Sequence, residues 1–419
     1  MAQQVTDVPE GLAKAAEEHG WPLEAVQRGL AAGVTPARLE RTIRAGVSPA
    51  QAQEMLANRP AGGVLGSLQS TISSAGAAVP PLDMSWADSP TERGLLPEIG
   101  ATGLELKAIE RGSYGFVPDR WMYENDMPRG AYLPPDTTNL TAGYSIYDKA
   151  EVWAENAAAL YEEAIRGHWV SATAIPWETL EPLPRSIELA IDQLCTNWSE
   201  HSHLGLEAVS KWLEEISYGF HEVKLYLATV CFDYGRQTEA FRKRALANGG
   251  GLGIQTPGVL TRTVYSALKF TEMVSILMVL RASFQVTLFD AFGSVISRSD
   301  ADRKLFELAS RDLKRHLAYG IEHLKFFVAT QPQKRGQVHA YLSRGEGALA
   351  NELRRNRPHN EALMLLLDAD PRAAKTKLRA IWSRQLEDYR TWLAKATLTD
   401  HKVSEFLLSA ISEPQPAGV

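Results

Sequence analysis

The residues best suited to chemistry are acids and histidines at helical spacing. Glu200 and His203 stand at i and i+3, and Asp312 and His316 at i and i+4, in stretches whose apolar residues recur every three or four positions. Such spacings put both side chains of a pair on one helix face. Glu200, His203, Asp312 and His316 therefore form one candidate donor set for a single metal, iron or manganese, held between two helices. Glu222, Glu272 and the Glu322-His323 pair are further helical donors that a one-turn shift would bring inward. His221, His323, His339 and His359 are expected at the surface or at helix ends, and Glu162-Glu163 and Glu214-Glu215 on solvated faces. There is no G-x-S-x-G, no P-loop, no dinucleotide fingerprint and no C-x-x-C. The run Gly249 to Gly253 follows a helix and precedes Thr256-Pro257, so it is expected to be a flexible link between helices.

The elements that must position these residues are long helices. Helical periodicity runs over residues 148 to 168, 185 to 214, 217 to 247, 258 to 295 and 299 to 330, then over 335 to 354, 359 to 367 and 371 to 412. Several of these exceed the usual length of a globular helix, and no alternating strand pattern interrupts them. Antiparallel helices of that length imply a bundle.

Four segments of the bundle region carry a recognisable order. They are Trp198-Ser-Glu-His-Ser-His203, Lys224 to Phe241, Met278-Val-Leu-Arg-Ala-Ser-Phe284 and Ser310-Arg-Asp-Leu-Lys-Arg-His-Leu-Ala-Tyr-Gly320. Over roughly residues 150 to 330 they resemble the ligand helices of ferritin-like diiron oxidases related to ribonucleotide reductase small subunits. The resemblance implies an all-α, ferritin-like long-helix bundle with extra C-terminal helices. It also implies six metal-ligand positions: Glu200, Tyr234, Gln237, Arg281, Leu313 and His316. Only Glu200 and His316 keep the ligand types of that family, and a guanidinium at 281 would repel metal ions in the same cavity. The expectation is a metal-free site in which Arg281 pairs with Glu200 while Tyr234, Gln237 and His316 complete the hydrogen bonds. Cofactors are then none, or iron or manganese if the single-metal set applies.

Outside the bundle, residues 1 to 60 read as a short helical repeat domain. Gly20, Gly33 and Gly46 recur every 13 residues, and each is followed by a proline, Pro22, Pro36 or Pro49. Glycine stops one helix; Thr35 or Ser48 caps the next and proline takes its first turn. Three helices of about two turns each follow, as an appendage or as a docking module. Residues 61 to 140 form an extended arm rich in proline and aromatic residues, including Tyr114, Phe116, Trp121, Met122 and Tyr123. It is expected to lie along the bundle or a partner subunit. The bundle with its C-terminal helices takes residues 141 to 419.

The 419 residues are 45% apolar, enough for a large core, and the net charge of −6 is spread through the chain. No basic stripe exists to hold nucleic acid or an anionic membrane. Cys195 and Cys231 lie in apolar helical stretches and are expected as reduced core thiols. The first residues lack the pattern of a signal peptide, and no apolar run reaches membrane-spanning length, so a cytoplasmic location is expected. The expected function is a metal-free ferritin-like subunit acting as scaffold or regulatory partner in a diiron-type monooxygenase system, as a homodimer or with a metal-bearing oxygenase subunit. Two alternatives stay open. The chain is itself an oxygenase or oxidase using a noncanonical metal site on a small organic substrate, or it is a metal-free ligand-binding protein.

Overall fold

The computed structural model describes residues 8–31, 34–44, 46–52, 85–121, 123, 127–134 and 143–412. The chain divides into two compact units, Met1–Asp88 and Ser89–Val419. In the first, helices α1 (Glu10–Glu18), α2 (Leu23–Ala31) and α3 (Pro36–Arg44) follow the glycine punctuation. Gly20 and Gly46 adopt φ of +68° and +76°, where glycine carries no steric penalty; Gly33 lies outside the described residues. Ser48 accepts from the Gln51 N–H at 3.3 Å while Gln51 accepts from the Ser48 N–H at 2.9 Å, a reciprocal capping box. Leu12, Ala15, Trp21, Val26, Leu39 and Ile43 form the small core of this unit.

The second unit is all-α, and no strand occurs among the described residues. Its helices of seven or more residues are α4 (Ala157–Arg166), α5 (Arg185–Glu215), α6 (His221–Ala247), α7 (Val259–Tyr265), α8 (Phe270–Ile296), α9 (Asp300–Thr330), α10 (Arg335–Arg355), α11 (Arg357–Leu367), α12 (Pro371–Lys395) and α13 (Glu405–Ser412). The long helices α5, α6, α8 and α9 meet at Trp198. Its ring lies 5.6 Å from Phe241 of α6, 5.2 Å from Phe289 and 5.0 Å from Phe292 of α8, and 5.1 Å from Phe306 of α9. Edge-on and tilted pairs of this kind add to the burial free energy of the rings.

Helix α8 is long and apolar enough to cross a membrane by length and composition alone, although Glu272, Arg281 and Asp290 interrupt its apolar run. In the fold 89% of that apolar window is buried, so it serves as a core helix packed by α9, α10 and α12. It is not a uniform α-helix: Val274–Arg281 and Phe292–Ile296 are wound as π-helix. Wider turns of this sort rotate the residues that follow and are frequent at functional sites.

The described part of the proline- and aromatic-rich segment from Ser89 onward falls in the same compact unit as the bundle. Trp121 is buried in the main core, and a Cβ on Gly219 would strike its ring, so glycine is what lets the indole seat there. The backbone N–H of Trp121 donates to the Tyr147 carbonyl at 2.9 Å. Arg129 is buried and donates to the Gly219 carbonyl at 2.9 Å and to both carboxylate oxygens of Glu222, at 2.5 and 3.0 Å. Phe116 stays exposed, and Met122 lies outside the described residues. The link at 249–253 is pinned, not loose: Gly251, Gly253 and Ile254 donate to Asp192, Thr196 and Gln193 of α5.

Candidate functional site

The polar centre of the bundle is built by one short pattern used twice. Asp233-x-x-Arg236 on α6 and Asp312-x-x-Arg315 on α9 each place an acid and a guanidinium one turn apart. Each arginine bonds the aspartate of its own helix and reaches the other helix. Arg236 Nη2 donates to Asp312 Oδ2 at 3.0 Å, and Arg315 Nη2 to Asp233 Oδ2 at 2.9 Å. All four side chains are buried. Two carboxylates and two guanidiniums cancel in charge, the condition under which buried ions persist. Trp169 Nε1 adds a bond to Asp312 Oδ2 at 2.9 Å, and its ring lies 4.5 Å beneath the Arg236 guanidinium. His316 Nε2 lies 3.2 Å from Asp233 Oδ2. Burial pushes the Asp233 carboxyl up, but His316, Arg315 and Arg236 outweigh it and hold it below its ordinary value.

Of the six positions implied by the resemblance, the structure gathers some and not others. The rings of Tyr234 and His316 meet at a tilt of 58°, with centroids 4.7 Å apart. The Tyr234 hydroxyl is pushed up to about 12 by burial, with the nearby Arg281 charge opposing. Gln237 and Leu313 are buried, and Gln237 Nε2 has no hydrogen-bond partner among the described residues. The expected pair of Arg281 with Glu200 does not form. Glu200 instead accepts from the Thr256 N–H at 3.1 Å and from its hydroxyl at 2.8 Å, because the pinned 249–256 segment passes over α5 at that point.

These residues do not fit a metal pair. The six positions offer one carboxylate, tied to Thr256, and one imidazole, beside a buried guanidinium. Nor does the single-metal set assemble. His203 lies exposed on α5 and pairs with Glu207 at 3.2 Å, while Asp312 is saturated by Trp169, Arg236 and Arg315. Glu110, His221 and Glu222 do cluster closely enough to suggest a cation. Arg129 supplies it, pairing with Glu110 at 2.6 Å and with Glu222. His221, the first residue of α6, is thus a half-buried partner of Glu110, at 2.7 Å. His323 is likewise fully buried between Trp153 O and Thr271 Oγ1, each at 3.0 Å.

Arg281, the last residue of the π-helical turn, is the outlier of the core. It is buried, and its Nε, Nη1 and Nη2 all lack a hydrogen-bond partner among the described residues. Burial lowers its pKa, and the charges of Tyr234, Glu352 and Glu200 only partly oppose this. Glu352 is committed elsewhere, to His201 Nε2 and to the Leu260 N–H, both at 3.1 Å. Burial works to raise the Glu352 carboxyl, yet the His201 hydrogen bond and charge, the Leu260 N–H and the Arg281 charge hold it low. Buried donors without acceptors cost on the order of 1–3 kcal/mol each, more when charged.

Arg281 lines a cavity of about 80 Å³, several times what one water needs. Trp198, Phe284, Leu288, Leu349, Leu363 and Trp382 give it apolar walls. His359, on α11, lines it too; burial and the neighbouring His201 push its imidazole down to about 4. Nothing in the sequence marked this cavity, because α10, α11 and α12 close it and their role is tertiary. No family profile, curated protein or solved structure matches the chain, so the likeness to ferritin-like oxidases rests on residue order alone.

Proposed function

We propose that this chain is a metal-free bundle of the ferritin-like type that serves as scaffold or regulatory partner to a metal-bearing oxygenase subunit. The observation that carries the reading is the crossed quartet of Asp233, Arg236, Asp312 and Arg315. In diiron bundles a carboxylate and an imidazole at i and i+3 on two facing helices enclose the metals. Here the same spacing, one residue earlier on both helices, carries carboxylate and guanidinium, so the positive charge between the helices is covalently attached. A core neutralised in this way supports a structural role more than redox chemistry.

A partner role is further supported by the segment that lies on the bundle. Leu96, Ile99, Leu104, Ile109 and Phe116 expose large apolar side chains within about twenty residues of chain, a concentration typical of interfaces. The test is the state of assembly. Light scattering over a micromolar concentration series and purification from source cells should give a dimer, or a complex with a subunit that itself binds iron. A monomer with no such subunit would overturn the reading.

A further inference from the structure

We propose that the cavity beside Arg281 is a binding site for a small organic monocarboxylate with an apolar body. This goes beyond the partner role and stands whether or not that role holds. Three N–H-bearing nitrogens of a single buried guanidinium, all unpaired, form a planar fork that matches the two oxygens of a carboxylate. The chain's own carboxylates do not take that place, since Glu200 is held by Thr256 and Glu352 by His201 and Leu260. A bound carboxylate supplies both the missing acceptors and the missing counter-charge.

The rest of the wall fits the remainder of such a molecule. Trp198, Phe284 and Trp382 offer flat apolar surface. Gln385 Oε1 and Asn360 Oδ1, also in the wall, are buried acceptors without donors, because their amide nitrogens are used on the Phe284 and Leu353 carbonyls at 2.7 and 2.6 Å. A hydroxyl on the ligand would satisfy either one. Access runs past His201, Gln285, Leu353 and Asn360, which line the cavity and are only half-buried. The arrangement matches the usual plan of small-molecule sites, an apolar cleft with a few convergent polar groups.

The site has a test that separates binding from structure. Hexanoate, octanoate, benzoate and 4-hydroxybenzoate are titrated calorimetrically against the full chain, with hexanol, benzyl alcohol and benzylamine as neutral and cationic counterparts. At least one carboxylate should bind, at least tenfold more tightly than its counterpart. Arg281→Met should abolish that binding and melt higher than the parent in the absence of ligand, because an unpaired buried charge is exchanged for an apolar side chain of similar length. Arg281→Lys should keep binding at reduced affinity, since it retains charge without the fork. An Arg281→Met protein that melts lower than the parent, or carboxylate binding that survives the substitution, overturns the proposal. So does the absence of carboxylate binding at millimolar concentration in the parent.

Discussion

Arg315 Nη2 on α9 lies 2.9 Å from Asp233 Oδ2 on α6, and Arg236 on α6 returns the same contact to Asp312 on α9 at 3.0 Å. The two helices thus exchange identical ion pairs across the centre of the bundle. Each charge depends on the other three, since removing one partner leaves an uncompensated buried ion. Asp312→Asn should therefore cost roughly 3–5 kcal/mol in urea unfolding. Arg236→Met combined with Asp312→Leu should recover a large part of that loss. Simple additivity of the single losses would show that the four residues do not act as a unit.

His323 gives the fold a pH dependence with a definite sign. Burial holds its imidazole down at about 4, whereas an unfolded histidine titrates near 6.5. The unfolded chain therefore binds more protons between those values, and this residue's contribution is complete above about pH 6.5 and is lost as pH falls toward 4. Replacing it with phenylalanine should flatten that part of the stability profile relative to the parent. An unchanged slope in the difference between the two proteins would contradict the assignment of His323 as a buried neutral group.

Gly205 sits within α5, where alanine would favour the helix by about 1 kcal/mol. A Cβ there would lie 2.7 Å from the Tyr234 ring, so propensity has given way to the seat of that tyrosine. Gly205→Ala should destabilise by about 1–3 kcal/mol through overpacking and should change the tyrosine near-ultraviolet signal. A stabilised variant would mean that the ring has room to move.

Much of this was legible in the residues. The expected helix over 185 to 214 is Arg185–Glu215, and that over 299 to 330 is Asp300–Thr330, because breakers bound both. Three segments were read as unbroken and are not: of 148 to 168 only Ala157–Arg166 is α-helix, after a 3-10 turn at Lys149–Glu151. The stretch 258 to 295 is interrupted between Tyr265 and Phe270, and 371 to 412 between Lys395 and Glu405, where Thr397 takes a left-handed φ of 61°. Neither break has a proline or glycine to announce it.

On α6 and α9 the charged quartet stands one position before the residues that the resemblance singles out, for a physical reason. Asp233 and Tyr234 are both buried, as are Asp312 and Leu313. Central helices packed on a wide arc have no one apolar stripe, so periodicity does not choose between neighbours about 100° apart. Both D-x-x-R pairs were visible as letters, but only the packing of α6 on α9 turns them toward each other. Arg281 was read correctly as a cation in the core and wrongly as a partner of Glu200, since the chain passing over α5 at Thr256 has no local signal.

We propose that attached guanidinium groups stand where diiron carboxylate bundles hold their metals. The most direct test is elemental analysis of the protein purified from iron- and manganese-replete cells, alongside His316→Ala and Asp233→Asn proteins. The account predicts iron and manganese well below one ion per chain in all three. A pair of ions per chain in the parent, lost on either substitution, would contradict it.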